Sequence, residues 1–398
     1  MFAFIFAIVL TIGSTQTLFG QGQSSALSPA QQKIARAEKA IQENPGRYEL
    51  YNDLALALAR RAREISDVNY YTKAEEALQK SFELAPENME GRKARAWILL
   101  GKHEFAQAAE LARELNRKMP DDILIYGFLA DANTELGNYK EAEEAAQWML
   151  DMRPGNVPGL TRGAYLRELF GDIEGAIEFM MSAYQRTPLQ EQEDRAWILT
   201  HIAHLELLRG KPDAAEKMLQ AAFELFPDYH YALAQMARVR TAQQRHAEAA
   251  ELLRKLVQSA PYPENMYPLA EALARAGQAE EAARMFAEFE QRALREVDWA
   301  DNANRELIFY YADHAHNPAE ALRIAQKEFA RRRDVYTLDA YAWALYVNGE
   351  YAEARRQIEA ALEVGVRDPK LFYHAGAIAS KSIGTIGAPA TANGLAAR

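Results

Sequence analysis

Apolar and small residues fall on short helical stripes along most of the chain. Between residues 126 and 154, Tyr126, Leu129 and Ala130, then Ala142, Ala146 and Met149, recur at spacings of three and four, which predicts two amphipathic helices. Gly137 and Asn138 lie between the stripes, where a left-handed helix terminus favours a residue without a side chain. Pro154 cannot continue the second helix. The same landmarks recur: Pro86, Pro120, Pro154 and Pro188 are 34 residues apart, and Pro227 and Pro261 repeat that step after a longer gap. Ala74, Ala108, Ala142, Ala176, Ala215, Ala249, Ala282, Ala321 and Ala354 keep a similar phase, and turn glycines recur at Gly171, Gly210, Gly277 and Gly349. A period of this length predicts an all-α solenoid of helix-turn-helix units, each packed on its neighbours.

The set Tyr126, Leu129, Ala130, Gly137, Tyr139, Ala142, Met149 and Pro154 closely resembles the tetratricopeptide repeat, and the resemblance extends over about 340 residues. It implies a right-handed superhelix whose first helices line a concave groove, with a protein or peptide as partner. Residues 27–46 are expected to form an N-terminal capping helix, opened by Ser28 as N-cap and Pro29 at the first helical position. Nine repeats follow, at 47–87, 88–121, 122–155, 156–189, 190–228, 229–262, 263–297, 298–334 and 335–367, then a capping helix at 368–384 and a disordered tail at 385–398. The period is broken in places. Extra residues within 60–70 lengthen the first hairpin, and residues 190–195 lengthen the first helix of the fifth repeat. The second helix of the seventh repeat runs on towards Glu296, the polar stretch 298–304 is the expected break in the superhelix, and Asn317-Pro318 replaces the turn glycine of the eighth.

Charge narrows the partners. The chain carries 56 acidic and 46 basic side chains, a net charge of −10, with a single basic run at 331–333. Nucleic acid requires a cationic surface and is not the expected ligand. The absence of cysteine excludes disulfides, thiolate zinc sites, a cysteine nucleophile and a lipidated cysteine. Residues 2–12, FAFIFAIVLTI, form an apolar run too short to span a bilayer and are followed by Gly20, Gly22 and Ala26. That layout predicts a signal peptide over 1–26 and an exported bacterial protein, periplasmic or secreted, with no stable membrane span in the mature chain. No Lys or Arg precedes the run, the first being Lys33.

Candidate chemistry is sparse. Glu75-Glu76, Glu143-Glu144 and Glu280-Glu281 share one repeat phase and read as solvated helix faces rather than acid-base pairs. His201 and His204, three apart on one helix, could share a metal, but no third ligand is legible, and they read as groove-lining imidazoles. No phosphate loop, nucleophile elbow or zinc signature is present, so no catalytic residue, cofactor or metal is assigned. The groove phase falls on Leu56, Trp97, Asp131, Tyr165, His204, Arg238, Glu271, Tyr310 and Trp343, with His201 and Asp339 close by. Rings at five of these nine places suit binding anchors. Asp131, Glu271 and Asp339 point to a partner with apolar anchors and some positive charge. The function expected is a non-catalytic protein- or peptide-binding scaffold of the cell envelope. The alternatives are a subunit of an envelope assembly or secretion machine, and a groove-based metal-binding protein or enzyme using His201, His204, Tyr165 or Arg238.

Overall fold

The computed structural model describes residues 27–384, so the expected signal peptide and the expected tail lie outside the described residues. Among the described residues there are twenty α-helices and no strand. Helix α1 (Pro29–Glu43) is followed by nine antiparallel pairs. These are α2 (Tyr48–Ile65) with α3 (Asn69–Leu84), α4 (Met89–Gly101) with α5 (Phe105–Lys118), and α6 (Ile123–Leu136) with α7 (Tyr139–Met152). Then come α8 (Val157–Leu169) with α9 (Ile173–Arg186), α10 (Gln192–Leu208) with α11 (Pro212–Leu225), and α12 (His230–Ala242) with α13 (His246–Ser259). The last pairs are α14 (Pro263–Arg275) with α15 (Ala279–Glu296), α16 (Asn304–Phe309) with α17 (Pro318–Arg331), and α18 (Val335–Val347) with α19 (Tyr351–Val364), before α20 (Pro369–Gly384). Helix α16 runs on as a π-helical turn over Tyr310–His314.

The small residues do what their phase implies. Ala74, Ala108, Ala142, Ala176, Ala215 and Ala249 are fully buried, letting the paired helices approach without intervening side chains. Ser28 caps α1 in a capping box with Gln31. A further periodic signal lies in Asn88, Asp122 and Asn156, 34 residues apart, whose side chains accept amides of Gly91, Leu124 and Gly159 to open α4, α6 and α8. In the eighth repeat the left-handed turn position is taken by His316, at φ 50°, while Asn317 caps α17.

The departures from the period close the superhelix on itself. The extension of α2 carries Arg60 and Arg63, and these reach the lengthened start of α10, where Arg60 pairs with Glu191 at 2.6 Å and Asp194 at 2.9 Å, and Arg63 pairs with Glu193 and Asp194. His230 Nε2 adds a contact of 2.8 Å to the Arg63 carbonyl. The stretch expected to break the superhelix does not do so: Phe289 and Ala293 before it, Ala303 within it, and Leu307 and Ile308 after it share one core cluster. Asp301 within it meets His103 of an earlier repeat at 2.9 Å. Farther along, the Arg333 amide donates to the Leu136 carbonyl at 3.3 Å, and the Val335 amide to Tyr139 Oη at 2.8 Å.

These contacts divide the turn glycines into two classes that no repeat phase distinguishes. Gly137, Gly171, Gly210, Gly277 and Gly349 all have positive φ. A Cβ at Gly137 would lie 2.4 Å from the Arg333 carbonyl oxygen, and one at Gly171 2.6 Å from that of Gly365, whereas at Gly210, Gly277 and Gly349 it would meet nothing within 4 Å. Alanine in the left-handed conformation costs about 1–2 kcal/mol at any of them. Gly137→Ala is expected to cost about 1–3 kcal/mol more than Gly277→Ala, because backbone of the next turn must also give way. Urea denaturation of the two variants measures the difference, and equal midpoints would rule out the contact between turns.

Candidate ligand-binding trough on the inner wall

The first helices of the pairs supply an inner wall on which two cavities adjoin. One, of about 630 Å³, is bounded by Trp97 from α4, Asp131 from α6, Pro158 and Tyr165 from α8, and Trp197 and His201 from α10. The other, of about 510 Å³, is bounded by Tyr165, Trp197, His201 and His204, by Gln235 and Arg238 from α12, and by Arg305, Tyr336, Asp339 and Lys370 from later turns. Tyr165, Trp197 and His201 belong to both, so the two form one trough.

Its floor is a histidine–carboxylate cluster. Glu168, only 2% exposed, receives His201 Nε2 on one oxygen at 2.7 Å and His204 Nε2 on the other at 3.0 Å. Burial alone would raise this carboxyl, but the imidazole hydrogen bonds outweigh it and bring it down to about 2. Among the described residues no group of three or more histidine or acidic side chains is arranged to hold a metal ion. Since the folded value lies below the ordinary carboxylate value of about 4.3, Glu168 stabilises the fold above that pH and loses its contribution as pH falls towards 2. The stability gap between the wild type and Glu168→Gln should therefore narrow between about pH 4.3 and 2. A gap as wide at the bottom of that window as at the top would contradict the assignment.

The trough gathers seven of the ten groove residues expected from sequence: Trp97, Asp131, Tyr165, His201, His204, Arg238 and Asp339. Three stand apart. Glu271 lies near His314 at 3.8 Å and Arg275 at 3.7 Å, outside both cavities. Tyr310 lies in the π turn, stacks on Phe286 with ring centres 5.6 Å apart and bonds Glu290 at 3.2 Å. A π turn widens the helix locally and shifts the register of the side chains within it. Trp343 is 6% exposed, donates Nε1 to Asp313 at 2.8 Å and stacks on His374 of α20. Helix α20 covers this face of α18.

The acidic character expected of the groove is neutralised in place. Asp131 accepts from Arg162 at 2.5 Å, Asp339 from His374 at 2.8 Å, and Glu271 has basic neighbours within 4 Å. Glu168, Trp197, Gln235, Arg305, Tyr336 and Lys370 escape the phase count. A signal for two of them exists: Trp197, His201 and His204 form an i, i+4, i+7 stripe on one helix, and Glu168 stands three residues beyond Tyr165.

Comparison with known proteins agrees with this architecture. Tetratricopeptide-repeat profiles match residues 93–157 and 206–264. The chain carries tetratricopeptide repeats. The APC/C hetero-tetramer Cut9-Hcn1 gives a similar structure at 13% identity and TM-score 0.52, covering 87% of this chain, which spans 59% of that one. The human IFIT1 dimer with PPP-AAAA matches at 13% identity and TM-score 0.52, over 85% of this chain and 95% of that chain. IFIT1 with m7Gppp-AAAA gives 15% identity and TM-score 0.54, over 83% and 85%. At such identities the likeness is one of fold. No curated protein matches the sequence. Among the described residues no helix is long and apolar enough to cross a membrane.

Proposed function

We infer that this repeat chain is a non-catalytic scaffold that holds a protein or peptide segment in the inner trough, and that it works in the bacterial cell envelope after export. The observation that carries the binding role is the continuity of the two cavities through Tyr165, Trp197 and His201, which gives an extended guest a ring-lined bed. The absence of catalysis is supported by the commitment of the titratable groups to one another: Glu168 to two imidazoles, Asp131 to Arg162 and Asp339 to His374. The IFIT1 structures hold PPP-AAAA or m7Gppp-AAAA, yet a chain of net charge −10 with a single basic run favours a protein partner over nucleic acid. A photo-cross-linking residue placed at Trp197 in the native cell should capture a protein, while one at the exposed Glu144 on α7 should not. Capture at position 144 with none at 197 would move the binding surface to the outer face.

Export is supported by the apolar run over 2–12 and the small residues after it, which lie outside the described residues. Mass analysis of native material should find an N-terminus between positions 21 and 27. Protein retaining Met1 in the cytoplasm would end this part of the reading.

A further inference from the structure

We propose that the trough is bipartite and selects a peptide segment that combines a bulky apolar side chain with a carboxylate. This rests on the reading that the trough takes a peptide, and adds which kind. At the Trp97 end the charges cancel internally: Arg162 holds Asp131, and Arg60 and Arg63 are held by Glu191, Glu193 and Asp194. What a guest meets there is Trp97, Trp197, Val157, Pro158 and Pro188, an apolar chamber suited to an aromatic or branched side chain.

At the Arg238 end the balance is reversed. Three of the four carboxylates in that wall are occupied: Glu168 by His201 and His204, Asp339 by His374, and Asp368 by the backbone amides of Lys370 and Leu371. Glu306 alone of the four has no hydrogen-bond or ion-pair partner among the described residues. Against it stand three cations. Arg238 is exposed and makes no ion pair among the described residues. Arg305 is already in ion-pair range of Asp334, at 4.0 Å, so of the three only Arg238 and Lys370 have no carboxylate partner among the described residues. Lys370 Nζ lies 3.2 Å over the Phe309 ring, with no carboxylate in ion-pair range. Lys370 also occupies the first turn of α20, where the helix macrodipole disfavours a positive charge, so local structure does not account for its placement. Gln235, 5% exposed, lines the same chamber with its Nε2 donor unpaired. A buried donor without an acceptor and an excess of unpaired cations are both met by one anionic acceptor, and arginine pairs with carboxylates through two parallel hydrogen bonds. Net charge pointed to a basic partner; the pairing pattern inside the trough points to an acidic one.

The probe is a random linear peptide library panned against the full chain, with enriched sequences resynthesised with free and with amidated C-termini. Enriched peptides should pair an aromatic or branched residue with Asp, Glu or a free terminus, and the amidated forms separate a side-chain from a terminal carboxylate. Arg238→Glu and Lys370→Glu should each weaken a labelled peptide about tenfold or more, while Lys217→Glu, exposed on α11, leaves it unchanged. Unaltered melting of the variants separates lost contacts from lost folding. Enriched peptides that lack a carboxylate, or that bind Arg238→Glu as well as wild type, would overturn the bipartite site and leave peptide binding standing. Failure of any peptide to enrich would overturn both.

Discussion

Replacing Glu193 by alanine is expected to destabilise the protein by about 2–4 kcal/mol, because it removes a fully buried carboxylate that the half-buried Arg63 and the buried Tyr229 both use as a partner. Glu193 is 0% exposed, accepts from Tyr229 Oη and pairs with Arg63, which comes from a helix 130 residues earlier. Burial alone would lower the Arg63 guanidinium, and Glu193 with Asp194 raises it well above its ordinary value, so the two carboxylates offset the cost of its desolvation. Asp194 remains in the variant, yet Tyr229 Oη and one face of Arg63 lose their acceptor inside the protein. Since the pair joins repeats that are distant in sequence, its loss should also loosen the winding. Urea denaturation gives the energy, and small-angle scattering should show a larger radius of gyration. The double variant Arg63→Met, Glu193→Leu removes both charges together and should recover most of the loss. A cost below about 1 kcal/mol for Glu193→Ala would mean that the turns are not clamped here.

Trp343→Ala should cost about 3–5 kcal/mol and leave the peptide affinity of the folded fraction unchanged. The indole is enclosed by His374 at a ring separation of 4.2 Å and Tyr346 at 4.9 Å, and its Nε1 holds Asp313 at 2.8 Å. Truncation opens a cavity between α18 and α20, leaves Asp313 without its donor and frees His374, which in turn fixes Asp339. Trp343→Phe restores the stacking without the hydrogen bond and should recover part of the stability. Trp197 is the control, being half-buried at the seam of the trough: its truncation should weaken peptide binding by about 2 kcal/mol. A Trp343→Ala protein that melts like wild type but binds weakly would reverse these roles.

The sequence by itself determined the repeating unit. Proline and small-residue spacing, the apolar stripes and the glycines between them are local signals, and helix pairing depends on neighbours within one period, so the all-α repeat architecture of α2 to α19 was legible. Long helices at the irregular sites were legible too, since α2, α10 and α15 run to 18, 17 and 18 residues where the period is stretched. What the insertions are for was not legible. Whether Arg60 meets Glu191, whether Asp301 meets His103, and which of five equivalent glycines touches backbone depend on how small rotations between repeats accumulate over a full superhelical turn. No residue near any of those contacts encodes that sum. The trough follows the same logic. Trp97, Tyr165, His204 and Arg238 line the trough, whereas Tyr310 stacks on Phe286 and Trp343 is covered by α20. The charge a ligand meets was likewise decided in three dimensions. A carboxylate paired with a side chain more than thirty residues away contributes to net charge in the sequence but presents little charge to a guest, as Glu168 with its two imidazoles shows.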